Sequence, residues 1–243
     1  MNPYILVIGH AAAAGEAPAN TLAGVRASLG AAAEAMEIDV QLCAGGVPVL
    51  MHDNTVDRTT NLSGLVMERT LAELQSADAG DGEPVPTLDQ VLELAAGRLT
   101  VMCELKATPG DPDQDQRCVD AVVAVIRKHN AESWTAIHSF NPEMVDRARR
   151  TEPRISATII SPPVAGEALD RLLGALLKRG GQAVSVHHAA VDRELMEKAK
   201  RRQVTVWCWT VDSPSDWARV AEAGVDGIIT NVPHRLREWL AAR

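Results

Sequence analysis

The sequence has no excess of basic residues and no long apolar segment. Lys and Arg number 24 against 32 Asp and Glu, which gives a net charge of −8 over 243 residues. An acidic chain without a dense basic run lacks the electrostatic footprint of a nucleic-acid-binding protein. No apolar stretch reaches the roughly 18 residues that a membrane span needs. We therefore expect neither a nucleic-acid partner nor stable membrane insertion.

Cysteine pairs and a leader peptide are also missing. The cysteines at positions 43, 103, 118 and 208 form no C-x-x-C motif, so buried free thiols are expected rather than disulfides or zinc ligands. The N-terminus enters an apolar run at residues 4–8 without a charged leader or a small-residue cleavage site. These features predict a cytoplasmic protein, and they leave its oligomeric state open.

The pattern that is present is an alternation of short apolar runs with helical segments. Capping residues or early prolines open several of the helices, at Asn20-Thr21, Thr87, Asn141-Pro142 and Ser213-Pro214. Eight such units in about 250 residues predict an α/β protein, a TIM (β/α)8 barrel forming a single domain over 1–243. The motif G-x-G-x-x-G of many open doubly wound sheets does not follow the first run. The predicted strands are 4–9, 35–41, 99–105, 134–139, 154–160, 183–188, 203–210 and 225–230.

One interval between strands is about twice as long as the others. It contains residues 54–85, which are rich in Thr, Asn, Asp, Gly and Pro. We interpret this segment as a small insertion between the second strand and its helix, which begins near Thr87. An insertion there lies at the carboxyl end of the barrel, where active sites of this fold are found. It is therefore expected to form a wall or lid of the site.

Acidic residues at period-two spacing give the strongest chemical signal. Glu37 and Asp39 alternate with Ile38 and Val40, so their side chains project from the same face of a strand. Two adjacent carboxylates repel each other unless a cation or a shared proton lies between them. His52 follows shortly, and a later apolar run carries Glu104 and Lys106 with the same spacing. The pattern indicates a metal-assisted site.

In the order and spacing of its motifs, the chain resembles the glycerophosphodiester phosphodiesterase family along almost its whole length. Each motif alone is weak, whereas the ordered set is highly specific. The motifs are Gly9-His10, Ala17-Pro18-Ala19-Asn20-Thr21, Glu37-Ile38-Asp39-Val40, Pro48-Val49-Leu50-Met51-His52-Asp53, Asp57-Arg58-Thr59-Thr60, Pro86-Thr87-Leu88, Glu104-Leu105-Lys106, Trp209-Thr210-Val211-Asp212 and Gly224-Val225-Asp226-Gly227-Ile228-Ile229-Thr230.

The resemblance implies a barrel with a small insertion and hydrolysis of a glycerophosphodiester to glycerol 3-phosphate and an alcohol, assisted by a divalent cation. By position, it implies that three carboxylates bind the metal and that two histidines form the acid/base pair. Oxygen ligands favour Mg²⁺ or Ca²⁺ over Zn²⁺. Histidine titrates near neutral pH and suits both proton transfers, and the sequence leaves open which histidine is the acid. The implied metal ligands are Glu37, Asp39 and Glu104, and the implied pair is His10 and His52.

Two further residues are candidates for substrate binding. Lys106 lies two residues beyond Glu104, on its face of the strand, and would direct a cation at the phosphate. A structural ion pair to Glu104 or Asp39 is the alternative. Trp209 would offer an apolar wall for the glycerol backbone. His187-His188, at the end of the sixth predicted strand, is assigned a packing or supporting role.

The resemblance is broken at two places. The family usually has His-Arg-Gly where this chain has His10-Ala11-Ala12, and Pro-Glu-Asn-Thr where it has Pro18-Ala19-Asn20-Thr21. An arginine that contacts phosphate contributes a charge-assisted bidentate bond of about 1.5 to 3 kcal/mol. A second hypothesis is therefore a catalytically weakened relative that binds a phosphodiester or a cation. An unrelated phosphosugar enzyme is disfavoured because no glycine-rich phosphate loop follows the last two strands.

Overall fold

The polypeptide forms a closed eight-stranded parallel barrel with helices between the strands. This architecture comes from a computed structural model that describes residues 4–243. The first strand, β1 (Leu6–Gly9), pairs with β9 (Gly227–Thr230) and also with β2 (Ala35–Leu42), which closes the sheet. The predicted TIM barrel is confirmed. The carboxyl ends of all eight strands consequently meet at one mouth.

The strands and helices alternate along the chain as the apolar pattern predicts. The barrel strands are β1 (Leu6–Gly9), β2 (Ala35–Leu42), β4 (Thr100–Leu105), β5 (Thr135–Ser139), β6 (Ser156–Ser161), β7 (Ala183–His187), β8 (Thr205–Trp209) and β9 (Gly227–Thr230). The helices are α1 (Leu22–Gly30), α2 (Leu71–Ser76), α3 (Leu88–Ala95), α4 (Pro112–Lys128), α5 (Pro142–Thr151), α6 (Gly166–Lys178), α7 (Arg193–Arg201), α8 (Pro214–Ala223) and α9 (Pro233–Ala241).

The helix starts read from the sequence are those of the structure. Thr21, Thr87, Asn141 and Ser213 are the N-caps of α1, α3, α5 and α8, and each side chain accepts a backbone N–H of the first turn. At α3 the contact is reciprocal, because the Gln90 side chain accepts the N–H of Thr87. Such caps satisfy backbone donors that a helix leaves unpaired.

The predicted insertion begins after a strand that the sequence analysis did not identify. Strand β3 (Pro48–Leu50) pairs antiparallel with β2. The segment after it contains a 3-10 helix (Val66–Glu68) and α2, and it has its own small core that includes Val56, Val66 and Leu74. This core joins Val49 and Met51 of the β3 region, so the insertion is anchored beside the barrel mouth.

The cysteines and the lengths of the helices bear on two expectations from the sequence. All four cysteines are buried and free, and burial raises the pKa of Cys118 and of Cys208 to about 12, so these thiols are protonated at neutral pH. Across residues 4–243, every helix is too short or too polar to cross a bilayer.

Candidate active site

Three carboxylates from neighbouring strands converge inside the mouth of the barrel. Glu37 and Asp39 lie on β2 and Glu104 lies on β4, with relative exposures of only 2%, 1% and 9%. In the sheet register Asp39 is opposite Glu104, and Glu37 lies two residues earlier on the same face. The alternation read from the sequence therefore does bring the acidic side chains together.

The ammonium of Lys106 neutralises part of this charge. Its Nζ lies 2.8 Å from Asp39 Oδ1 and also pairs with the Glu104 carboxylate. Burial alone would raise the pKa of Asp39, but the charges of Lys106 and His52 and the hydrogen bonds from Lys106 and Asn20 together outweigh it, and the pKa is lowered. Glu37 shows the opposite result, because burial and then the charges of Asp39 and Glu104 raise its pKa well above the usual value. Glu37 thus has the greatest electrostatic need for a cation.

Asn20 forms hydrogen bonds with both the side chain and the backbone of Asp39. Its Nδ2 donates to Asp39 Oδ2 at 2.7 Å, and its Oδ1 accepts the backbone N–H of Asp39 at 3.0 Å. Asn20 has φ +57°, a left-handed conformation that asparagine tolerates better than most residues. The sequence indicated Asn20 as part of a helix start and of a family motif but not as a partner of Asp39, so this contact to the site was missed.

His10, at the end of β1, is oriented by a chain of hydrogen bonds. The Asn231 Nδ2 donates to Asp212 Oδ2 at 2.7 Å, so the amide oxygen of Asn231 faces the histidine. That oxygen lies 2.8 Å from His10 Nδ1, which must therefore carry the proton. The other ring nitrogen, Nε2, is left as a proton acceptor 4.0 Å from Glu37 Oε2. The sequence analysis assigned Asn231 no role at the site, so this contact was missed.

His52 reaches the same cleft from the start of the insertion. Its Nδ1 lies 2.6 Å from Asp53 Oδ1, and the second oxygen of Asp53 accepts from Arg58 Nε at 2.5 Å. The hydrogen bond from Arg58 lowers the pKa of Asp53 to about 2, so Asp53 is a carboxylate at neutral pH. A histidine supported by a carboxylate has its tautomer and ring orientation fixed.

The two histidines line one cleft of about 320 Å³. Asn20, Asp39, Arg58 and Asn231 also line it, together with the methyl groups of the two alanines that replace family residues, Ala11 and Ala19. Lys106 lines an adjacent cavity of about 200 Å³, together with residues that include Leu65 and Met67 of the insertion. The insertion therefore does form a wall of the site.

Trp209 lies further around the mouth. Its ring packs edge-on against Phe140 and His187, with centroid distances of 5.6 and 5.0 Å. The cleft that holds His10 and His52 is lined without Trp209. Its role as an apolar wall for glycerol stays a prediction.

A group of three side chains at the site could hold a metal ion. One ligand atom each from Glu37, Glu104 and His138 lie within 4.8 Å of one another. Atoms that share an ion at about 2.0 to 2.6 Å are up to about 4 to 5 Å apart, so this group fits a cation. Glu37 Oε1 has no hydrogen-bond partner among the described residues, which leaves it free for an ion. Asp39 forms an ion pair with Lys106 beside this group but does not belong to it.

Comparison with known proteins agrees with this geometry. The family model described as "Glycerophosphoryl diester phosphodiesterase family" matches residues 10–235. The chain belongs to this family. A glycerophosphodiester phosphodiesterase of Caldanaerobacter subterraneus is 33% identical over 245 residues, covering 95% of this chain and 96% of the relative. The family resemblance read from the motifs is confirmed, and the chain is an enzyme of the phosphodiesterase class.

Solved structures of the family share the whole barrel. A phosphodiesterase of Oleispira antarctica, in complex with the product sn-glycerol-3-phosphate, has a TM-score of 0.88 and 25% identity, with 98% of this chain and 97% of that chain covered. A glycerophosphodiester phosphodiesterase of Agrobacterium tumefaciens has a TM-score of 0.80 and 26% identity, covering 96% and 99%.

Proposed function

We propose that the enzyme hydrolyses glycerophosphodiesters to glycerol 3-phosphate and an alcohol, with a divalent cation and with His10 and His52 as the acid/base pair. The observation that carries this proposal is that both histidines line one cleft beside Asp39, each with its Nδ1 paired to an oxygen of a supporting side chain. The product bound by the Oleispira antarctica relative supports the same substrate class.

The carboxylates would hold the cation, as the metal dependence of the family requires. Glu37, Asp39 and Glu104 are the proposed ligands, and their oxygen atoms by themselves would favour Mg²⁺ or Ca²⁺. When bound, the ion would neutralise charge that develops on the nonbridging phosphate oxygens. Asn20 and Lys106 would keep Asp39 in place, since both contact its carboxylate.

The hydrogen-bond partners suggest different tasks for the two histidines. The ring of His10 donates from Nδ1 to the uncharged amide of Asn231, which leaves Nε2 as the nitrogen that can accept a proton. His52 pairs through Nδ1 with the carboxylate of Asp53, the arrangement expected of a histidine that passes a proton to a leaving group. We therefore assign proton abstraction to His10 and protonation of the leaving alkoxide to His52.

A guanidinium is still present in the cleft although the family arginine is replaced by Ala11. Arg58 lines the cleft with His52 and is ion-paired to Asp53. The charge of Arg58 is therefore partly neutralised by Asp53. The methyl groups of Ala11 and Ala19 cannot donate a hydrogen bond to a phosphate oxygen. This observation favours the second candidate function, a weakened relative that binds a phosphodiester or a cation with slow turnover.

Release of glycerol 3-phosphate from several glycerophosphodiesters tests the proposal, with Mg²⁺, Ca²⁺ and chelator compared in parallel. We expect a rate that requires the cation and falls about 10²- to 10⁴-fold in His10→Gln and in His52→Gln. His234→Gln is the matched control, because His234 is an exposed histidine of α9. Full activity in both cleft variants would sink the acid/base assignment. Tight binding of substrate without release of product would favour the second candidate.

The single-domain boundary 1–243 and the cytoplasmic location remain proposals based on the sequence. Both are compatible with a small, freely diffusing glycerophosphodiester as substrate. Limited proteolysis tests the first, because cleavage within the insertion at 54–85 should leave the barrel strands associated.

A further inference from the structure

His138 lies in the barrel interior beside the carboxylates, on β5. In the sheet register it is opposite Glu104, which is itself opposite Asp39. Its relative exposure is 2%. Its Nε2 is 3.9 Å from Glu37 Oε1, and it completes the group of Glu37, Glu104 and His138 that could hold an ion.

The hydrogen bonding of His138 is incomplete. Neither ring nitrogen has a hydrogen-bond partner among residues 4–243, and the same is true of Glu37 Oε1. Buried imidazole nitrogens are usually paired, because an unpaired polar group loses its hydration without compensation. A histidine that served only to pack the barrel would gain nothing from facing a carboxylate oxygen at 3.9 Å. His138 Nε2 and Glu37 Oε1 are 3.9 Å apart, a distance that one cation bound to both atoms would span.

We propose that His138 Nε2 is a nitrogen ligand of the divalent cation, so that this enzyme binds first-row transition ions such as Mn²⁺ and Co²⁺ more tightly than Mg²⁺ or Ca²⁺. The inference rests on the proposed function only in placing the cation at Glu37 and Glu104.

The chemistry of the ligands gives the direction of the preference. Carboxylates and water suit Mg²⁺ and Ca²⁺, whereas first-row transition ions also bind imidazole nitrogen, Mn²⁺ more weakly than Co²⁺. Affinity for a given site also rises from Mn²⁺ to Co²⁺. A set of two carboxylate oxygens and one imidazole nitrogen therefore shifts selectivity away from Mg²⁺ and Ca²⁺. Asp39 remains available at the edge of the site, held by Asn20 and Lys106.

Local sequence features offer little indication of this ligand. His138 stands alone in an apolar strand, between Ile137 and Ser139, and no second histidine at metal-binding spacing accompanies it. The informative feature is its position near the end of β5, level with Glu104 on the adjacent strand, which only the register reveals.

Metal binding measured without substrate tests the proposal. Isothermal titration of the full-length protein with Mn²⁺, Co²⁺, Mg²⁺ and Ca²⁺ should give tighter binding of the first two. In His138→Gln, which offers an amide oxygen instead of nitrogen, the affinities for Mn²⁺ and Co²⁺ should fall at least about tenfold, and that for Mg²⁺ should change little. Thr158→Val is the control, because Thr158 is the buried register neighbour of His138 on β6. Equal affinities of His138→Gln and the unmodified protein for Co²⁺ would overturn the proposal.

A spectroscopic measurement identifies the ligand directly. Electron spin-echo modulation of the Mn²⁺-loaded protein should show coupling to ¹⁴N, and labelling with ¹⁵N-histidine should replace it by coupling to ¹⁵N. The signal should survive in His10→Gln and vanish in His138→Gln. The labelled, unmodified protein alone gives an answer if His138→Gln does not fold, since absence of nitrogen coupling there contradicts the proposal. Loss of phosphodiesterase activity with every cation would instead count against the proposed function, whatever the nitrogen coupling shows.

Discussion

At the scale of single residues, Lys106 decides how the carboxylates share their charge. Its Nζ pairs with Asp39 and Glu104, while the Glu37 carboxylate accepts the backbone N–H of Ala11, at 2.9 Å. The pKa of Lys106 is raised: burial would lower it, but the carboxylates outweigh burial. It therefore stays protonated and leaves Glu37 as the carboxylate that most needs a metal. Both interpretations of Lys106 from the sequence, phosphate contact and ion pair, remain compatible with this position.

The replacement of the family arginine gives the first prediction at this scale. Ala11 lines the cleft, so Ala11→Arg should place a guanidinium near the phosphate, with Ala19→Glu added to restore its acidic neighbour. We expect kcat/KM to rise about 10- to 100-fold, as a charge-assisted bidentate contact of about 1.5 to 3 kcal/mol implies. Steady-state kinetics measure the effect. The matched control is Ala14→Arg, because Ala14 lines the same cleft away from the replaced arginine. No gain in the double variant would show that the lost arginine does not limit the rate.

His138 gives a prediction about pH. Burial and then the charge of Lys106 lower its pKa to about 3 from an ordinary value of 6.5. As pH falls below 6.5, the unfolded chain binds a proton that the folded protein does not, so this group costs stability on acidification. Between pH 7.5 and 5.0 in chelator, the free energy of unfolding should fall by about 1 to 2 kcal/mol more in the native protein than in His138→Gln. Urea unfolding of both proteins at each pH measures the difference, and parallel pH dependences would contradict the lowered pKa.

At the scale of elements, the connection from β1 to α1 positions His10, the proposed proton acceptor. After Gly9 the chain passes through His10 and then through Ala11 and Ala12, whose φ angles are +44° and +69°. Left-handed residues reverse the chain direction tightly. The reversal places the carbonyl of Ala12 over Gly9, where Ser28 Oγ of α1 donates a hydrogen bond to it. The loop is therefore held between its own strand and its own helix.

Gly9 gives the prediction at this scale. A Cβ at Gly9 would overlap the Ala12 carbonyl oxygen and Ser28 Oγ, so Gly9→Ala should destabilise the fold by about 1 to 3 kcal/mol. Thermal unfolding should show this as a lower Tm, by about 2 to 4 °C for each kcal/mol. Gly30→Ala is the matched control, because a Cβ there meets nothing within 4 Å and Gly30 lies in the last turn of α1. Its Tm should be unchanged or slightly raised. Equal Tm values for the two variants would refute the crowding at Gly9.

At the scale of the whole molecule, the carboxylates of the proposed metal site lower the stability of the barrel that brings them together. Closure of the sheet brings Glu37, Asp39 and Glu104 together in an interior where their charges are poorly hydrated. Because the pKa of Glu37 is raised, its contribution to stability is present below the ordinary value of 4.5 and is lost as pH rises through the raised value. A cation that binds the folded state would restore stability by mass action.

Glu37→Gln separates these two effects. In chelator at pH 7.5, the variant should be about 1 to 2 kcal/mol more stable than the native protein, because it removes one of the repelling charges and retains an oxygen that can accept from Ala11. Added cation at about 100 times its Kd should stabilise the native protein by about 2.7 kcal/mol and the variant by much less. Thermal unfolding with and without metal measures both effects. Glu93→Gln, at an exposed glutamate of α3, should change neither value.

The fold and much of the site follow from local sequence features, whereas the site's supporting contacts do not. Alternating Glu37 and Asp39 predict a shared face, and Thr87 predicts a helix start, since each effect acts within a few residues. Asn231 contacts His10 across 221 positions of the chain. No local spacing encodes such a contact.

The sequence by itself determined the barrel, the carboxylates and the candidate histidines, because periodicity and capping depend on near neighbours and because the family motifs are ordered along the chain. Only the tertiary structure decided which atoms face one another. The register between β4 and β5 places His138 beside the carboxylates, and the insertion brings Arg58 into the cleft. These decisions depend on strand pairing and loop packing between distant segments, and within residues 4–243 they leave both ring nitrogens of His138 without a hydrogen-bond partner.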